Sequence, residues 1–317
     1  MSKFALVFPG QGSQSVGMLA ALNDVDSVIS KTFEEAGEVL GCDLWSIASK
    51  GPAELLNSTE LTQPLMLAGG VAVWRFWLRA GGQAPAAVAG HSLGEYSALV
   101  SAGVLDFRDA VNVVSERARL MQSAVPAGEG AMAAILGLAD EVVEAICREV
   151  AEDQVVAPAN YNSPGQLVVA GDSAAVERVT HACVASGARK ALKLPVSVPS
   201  HCALMAPAAE ELAAVLAGIS FGEPAFPIYH NVDAGIRVSP DGIREALLQQ
   251  LSAPVQWTAT IEALVKHDIG IFAESGPGRV LCGLGKRIER SVEWVVMEQP
   301  DSIQSLLEKT AKESVEE

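Results

Sequence analysis

Short, wholly apolar runs alternate with longer amphipathic stretches over roughly the first 125 residues. FALVF (4–8) ends at Pro9-Gly10 and predicts a buried strand, with the glycine-rich loop GQGSQSVG after it. AAVA (86–89) predicts a second short strand, and EYSALVSAG predicts the start of the helix that follows. This alternation predicts an α/β domain with a largely parallel sheet. The rhythm changes between residues 127 and 197. AMAAILGL (131–138), VVAPANYN (155–162), QLVVAG (166–171) and RKALKLPVSV (189–198) read as strands. ADEVVEAICREVAE (139–152) and DSAAVERVTHACVASG (172–187) read as helices, which gives the β-α-β-β-α-β order of a ferredoxin-like unit. The larger rhythm resumes at Ser200, and the tail after Asp301 reads as a charged, solvated helix. The expected architecture is a discontinuous large domain (1–126 and 198–317) interrupted by a small ferredoxin-like domain (127–197), with a ligand crevice between them.

The bulk numbers narrow the function classes. Apolar residues make up 50% of the 317 residues, yet no uncharged apolar run approaches the ~18 residues of a membrane span; PLMLAGGVAVW stops at Arg75. The opening MSKFALVFPG is too short in apolar residues for a signal peptide, so a cytoplasmic chain is expected. The balance of 22 basic against 38 acidic residues, net −16, argues against a broad nucleic-acid surface. Cys42, Cys147, Cys183, Cys202 and Cys282 are scattered and form no C-x-x-C, which suggests neither a zinc site nor a disulfide framework.

GHSLG (90–94) is where chemistry first suggests itself. It reads either as a tight βα turn with a capping serine or as a nucleophile elbow, where glycines remove side chains that would collide across a strained turn. A serine nucleophile needs a base. His91 is adjacent to Ser92 and is expected to point elsewhere; His181 lies in a small-domain helix, and His230 and His267 lie near element ends. His201 follows Ser200, which reads as the N-cap of the helix CALMAPAAEELAAVL. A histidine in that first turn would be kept neutral by the positive end of the helix dipole. Arg117 is the next anomaly. Its helical neighbours at three and four positions are Val113, Val114, Leu120 and Met121, all apolar, whereas Arg119 sits among Ser115, Glu116, Gln122 and Ser123. A buried guanidinium needs an anion, either an internal ion-pair partner or a substrate carboxylate held bidentately. GQGSQSVG lacks both the full dinucleotide fingerprint and G-K-[ST]; its other reading is a loop whose N–H groups face an oxyanion.

FPGQGSQSVGM, GHSLGEYSALVSAG, the Arg117 helix, YNSPGQLVVAG, VPSH and ESGPGRVL, in this order and spacing, resemble the malonyl-CoA:acyl carrier protein transacylases of bacterial fatty acid synthesis over nearly the whole chain. The resemblance implies an α/β-hydrolase-like large domain and a ping-pong acyl transfer with no metal or redox cofactor. It implies Ser92 as the acylated nucleophile, His201 as general base and then acid, and Arg117 as the clamp on the malonyl carboxylate. It further implies an oxyanion hole from the N–H groups of Gln11 and Leu93. The main-chain carbonyl of Gln250 would orient His201, and Met121 and Asn160 would line the acyl pocket. Gln250 falls near the end of the helical stretch DGIREALLQQL, where carbonyls lack intrahelical partners.

The implied partners are malonyl-CoA and an acyl carrier protein; composition argues against nucleic acid and membrane, and a monomer is expected although nothing in the sequence reports the oligomeric state. Carrier proteins are typically acidic, so an acidic chain would dock one through a local basic rim. Arg189, Lys190 and Lys193, or Lys286, Arg287 and Arg290, are the candidate clusters; the same cations could instead hold CoA phosphates or simply be solvated. Competing readings are a serine thioesterase, a nucleotide-binding regulator built on GQGSQ, and an acyltransferase for another acyl-CoA such as methylmalonyl-CoA. Ser200 and Met121 are the residues expected to shape that last choice.

Overall fold

The computed structural model describes residues 3–196 and 198–311. The expected domain boundary at Ser197 and the last residues of the tail, 312–317, lie outside the described residues. The described strands are β1 (Lys3–Phe8), β2 (Ala87–Gly90), β3 (Gly130–Leu136), β4 (Val156–Ser163), β5 (Gln166–Asp172), β6 (Lys190–Lys193), β7 (Ile228–Tyr229), β8 (Ile269–Glu274) and β9 (Glu293–Val296).

The five wholly apolar or nearly apolar segments assemble into one parallel sheet in the order β7-β2-β1-β8-β9. Both faces are covered, so these strands do not alternate: β1 is buried at every position after Lys3 and β2 at every position. Strand order reverses at β1, which pairs with β2 on one side and β8 on the other. Ligands of open parallel sheets bind beyond the strand C-termini at such a point. Here the loops after Phe8, Gly90 and Glu274 meet there, because Phe8 pairs with Gly90 and Val7 with Glu274. The helix Thr59–Arg79 is buried along most of its length and packs in the same core as Phe107–Ala124, which is why its sequence is apolar all round. Among the described residues no helix is long and apolar enough to cross a membrane.

The remaining four strands form an antiparallel sheet in the order β4-β5-β3-β6, the ferredoxin-like arrangement. Here the period of two is visible. Ala131, Ala133 and Ile135 face the helices Asp140–Val150 and Ser173–Ala185, while Met132, together with Val168 and Ala170 of β5, faces Cys202 of the large domain.

Three expectations need correction. The last small-domain strand covers only Lys190–Lys193 of the expected 189–198. Leu194 still donates to the Met132 carbonyl at 2.9 Å, but Pro195 has no N–H to continue the ladder, and Leu194, Val196 and Val198 turn to line the crevice. Ser200 is no helix cap, and His201 is not in a first helical turn: His201 has φ 63°, Cys202 is extended, and the helix proper begins at Ala206 after a short turn of 3-10 helix. The tail helix, Pro300–Ala311, is not wholly solvated; it buries Ile303, Leu306 and Thr310, the first two in the main core.

Candidate active site

GHSLG forms a strand-turn-helix elbow between β2 and the helix Gly94–Ser101. Ser92 at its tip has φ 51°, a left-handed conformation rare for a residue with a side chain. The glycines are required by proximity. A Cβ on Gly90 would lie 1.9 Å from the Gly94 carbonyl carbon, and one on Gly94 would lie 2.0 Å from the Phe8 carbonyl oxygen. The N-cap of that helix is Leu93 and no side chain caps it, so Ser92 is not a capping serine in this tight turn.

Ser92 Oγ lies 2.7 Å from His201 Nε2. On the far side of the ring, Nδ1 lies 2.7 Å from the main-chain carbonyl of Gln250. A carbonyl only accepts, so Nδ1 carries the proton and the Nε2 lone pair faces the serine hydroxyl. That carbonyl is free because Gln250 sits in the last turn of the helix Pro240–Ser252. The backbone N–H of His201 donates to the next carbonyl, Leu251, at 2.9 Å, so the same helix end fixes both ring and backbone. His201 is 3% exposed. Burial, then the neighbouring Arg117 charge, pull its pKa down to about 3, against the raising effect of the Gln250 hydrogen bond. The histidine is therefore kept neutral by desolvation and a nearby cation, not by a helix dipole. His91 points away from Ser92: its Nε2 lies 2.8 Å from Asn162 Oδ1, its ring meets the edge of Trp257, and burial lowers its pKa.

Arg117 is 2% exposed. Nη1 donates to Gln63 Oε1 at 2.7 Å and Nη2 to Gln250 Oε1 at 3.1 Å, while Nε has no hydrogen-bond partner. The guanidinium lies over the Tyr96 ring, 5.6 Å from its centroid. Among the described residues it makes no ion pair, so the internal ion-pair reading lacks its partner. Gln63, Met121 and Asn160 line the same crevice as Ser92 and His201, along with Gln11, Met132, Leu194 and Val198. Gln63 Nε2 also reaches Met121 Sδ at 3.8 Å, which ties the guanidinium's partner to the pocket wall.

The N–H groups of Gln11 and Leu93 make no hydrogen bond with any described residue, whereas that of Gly12 is taken by Gln14 Oε1 at 2.7 Å. Among the described residues both donors are without a partner, one in each loop. The carboxylate of Glu274, at the start of ESGPG, serves the fold: it accepts from the N–H groups of Leu281 (2.9 Å) and Cys282 (2.8 Å), and burial raises its pKa. Arg189, Lys190, Lys193, Lys286, Arg287 and Arg290 are all exposed, and Arg287 is hydrogen-bonded to Gln166 of the small domain.

Sequence reasoning missed Gln63, Asn231, Glu95 and the side chain of Gln250. Asn231 Oδ1 accepts the Ser92 N–H at 2.6 Å, and Glu95 is wholly buried beside it. None stands in a chemical motif of its own, and only burial of an acid inside an apolar helix, at Glu95, could have drawn attention.

Residues 5–297 match the family model described as the acyl transferase domain. The chain is 53% identical over 308 residues to the malonyl CoA-acyl carrier protein transacylase of Escherichia coli (strain K12), covering 97% of this chain and all of that one. It is 40% identical over 315 residues to the protein of the same name from Bacillus subtilis (strain 168), covering 99% of each. Among solved structures, a malonyl-transacylase in complex with its type II PKS acyl-carrier protein superposes with a TM-score of 0.96 at 54% identity, covering 97% of this chain and 100% of that chain. The malonyl CoA-acyl carrier protein transacylase of Coxiella burnetii superposes with the same TM-score at 46% identity, covering 97% and 98%.

Proposed function

The chain belongs to the acyl transferase family, and from that premise we propose that it moves a malonyl group from malonyl-CoA to the phosphopantetheine thiol of an acyl carrier protein through an ester on Ser92. The observation that carries this reading is the Arg117 guanidinium, buried, without a carboxylate partner, and one hydrogen bond from the crevice that holds Ser92 and His201. A buried charge that makes no direct ion pair, its nearest carboxylate Glu95 being reached only through Gln250, suits an anion brought by the substrate.

Ser92 Oγ attacks the thioester carbonyl as His201 Nε2 takes its proton, and the new C–O bond leaves a tetrahedral oxyanion. The N–H groups of Gln11 and Leu93 face that charge. Collapse breaks the C–S bond, and the imidazolium returns the proton to the departing CoA sulfur. The carrier thiol then repeats the sequence in reverse. The Gln250 carbonyl holds the tautomer that each step needs. Every group the reaction asks for is a protein group, so no cofactor is invoked. The malonyl carboxylate meets Arg117 while Met121 and Asn160 bound the acyl chain. We place the reaction in a reducing, cytoplasmic compartment, which suits five free cysteines. The exposed cations at Arg189, Lys190, Lys286 and Arg287 are the proposed docking rim for the acidic carrier.

Intact mass after mixing with malonyl-CoA tests the reading. The wild type gains a malonyl adduct that a phosphopantetheinylated carrier protein discharges, and Ser92→Ala gains none. An adduct that water removes faster than the carrier does would replace the transferase with a thioesterase, and no adduct would remove Ser92 from the chemistry.

A further inference from the structure

Asn231 follows β7 and lies 139 residues from Ser92 in sequence. Its side chain spans the elbow. Oδ1 accepts the Ser92 N–H at 2.6 Å, and Nδ2 donates to the Gly90 carbonyl at 2.6 Å. A backbone N–H only donates and a carbonyl only accepts, so this amide has one orientation. The two groups it grips span His91 and fix the backbone that leads into Ser92, the residue held at positive φ, a conformation that persists only where the surroundings over-determine it.

Glu95 stands three residues after Ser92, in the first turn of the helix that the elbow feeds. Three donors converge on its buried carboxylate: His230 Nδ1 at 2.6 Å, Gln250 Nε2 at 2.7 Å and the Asn231 N–H at 3.2 Å. Gln250 reaches the rest of the site. Its Nε2 also donates to the Ser92 carbonyl at 3.0 Å, its Oε1 accepts from Arg117, and its own carbonyl faces His201. The side-chain amide again has one orientation, since a guanidinium only donates and a carboxylate only accepts.

We infer that Asn231 and Glu95 are positioning residues for the acyl transfer: Asn231 holds the nucleophile's turn, and Glu95 locks Asn231 to Gln250, the residue that faces both His201 and Arg117. The inference rests on the reading of Ser92 and His201 as the reacting pair. A buried carboxylate is a costly way to fill a core, and partners so close to the elbow, His201 and Arg117 are what mere packing would not select. One carboxylate then couples the nucleophile's turn and the residue that orients the base into a single rigid unit.

The test uses two probes on full-length enzyme. Malonyl-CoA needs Arg117, and a fluorophosphonate, which phosphonylates an activated serine with loss of fluoride, does not. Glu95→Gln places an amide NH2 where three donors converge, so one contact becomes donor against donor. Labelling of Ser92 by both probes is expected to slow in parallel by about ten- to a hundredfold, with the KM for malonyl-CoA changed by less than about threefold. A Glu95→Gln enzyme that melts earlier yet labels at the wild-type rate per folded molecule would overturn the inference. Asn231→Asp keeps an acceptor for the Ser92 N–H but sets an oxygen against the Gly90 carbonyl, and the same parallel slowing is expected. It decides the matter if Glu95→Gln does not fold. A wild type that takes neither probe on Ser92 would instead overturn the proposed function, and this inference with it.

Discussion

Replacing Arg117 with alanine separates acyl recognition from the chemistry that all acyl groups share. In the wild type the guanidinium is 2% exposed and, among the described residues, hydrogen-bonds only to the neutral amides of Gln63 and Gln250, so a malonyl carboxylate would be its first direct ion-pair partner. Removing one member of a buried, hydrogen-bonded charge pair typically costs about 3–5 kcal/mol. At about 1.4 kcal/mol per tenfold, malonylation of Ser92 should slow by roughly two to three and a half orders of magnitude. Acetyl-CoA carries no carboxylate and loses nothing of that kind. Arg117 also touches Gln250, so the substitution disturbs the orienter of His201. That disturbance slows both substrates alike and cancels in their ratio. The assay is single-turnover acylation followed by quenched intact mass, with malonyl-CoA and acetyl-CoA in parallel. The malonyl-to-acetyl ratio should fall by at least about a hundredfold in Arg117→Ala, and by a smaller factor in Arg117→Lys, where one point charge replaces a fork. An unchanged ratio in Arg117→Ala would show that the guanidinium does not hold the carboxylate.

Gly94→Ala sets a Cβ 2.0 Å from the Phe8 carbonyl oxygen, between two elements that cannot separate without opening the sheet; a loss of more than about 2 kcal/mol in urea unfolding is expected, and a stability unchanged from wild type would contradict the elbow geometry. Because burial and Arg117 hold the His201 pKa near 3, acylation should show no protonation limb near pH 6.5 as pH is lowered from 7 to 5; a limb at that pH in stopped-flow acylation would mean that the ring is more solvated than the structure has it. The same depression makes the unfolded chain bind the extra proton, so stability is lost as pH falls from about 6.5 toward 3, and His201→Gln should flatten that part of a urea-midpoint-against-pH curve. Lys286→Glu, on an exposed position at the end of the helix Val280–Ile288, should raise the apparent KM for the carrier protein by at least about threefold and leave malonylation by malonyl-CoA unchanged; slowing of the CoA step would assign this cation to CoA phosphates.

Much of this site can be read in local pattern. Ser92 stands out because G-x-S-x-G joins an apolar run to a helix, and Arg117 because all its helical neighbours are apolar. Gln250 is legible only through family resemblance, since a main-chain carbonyl leaves no mark in side-chain chemistry. His201 does lie beside Ser92, but its local setting is not legible: Ser-His before an alanine-rich helix looks like a cap, while tertiary contacts with Leu251 and Gln250 hold the residue at positive φ outside the helix. Asn231 and Gln63 were illegible. Each is an amide that gains meaning only from a partner 139 or 54 residues away, and no periodicity encodes such a pairing. The helix at the C-terminal end shows the opposite limit, in that its charge is plain in the sequence while the small stripe formed by Ile303 and Leu306 decides where it packs.

The antiparallel pairing of β3 with β6 bears on how the active site closes during folding. Ser92 precedes the small domain and His201 follows it, 109 residues later. Yet Ala133 and Lys193 are direct neighbours across the two strands, so the small domain leaves the large one and returns at nearly the same point. Once it has folded, it short-circuits its own length, and the loop that must still close between Ser92 and His201 behaves as one of about 50 residues rather than 109, a saving of about 0.7 kcal/mol in closure entropy. Ser92 and His201 are thus stitched together by a module whose two ends already touch. Any replacement module with adjacent ends would close the same loop, and it would have to supply the crevice wall that Met132, Asn160 and Leu194 now provide and the contact that Asn162 makes with His91.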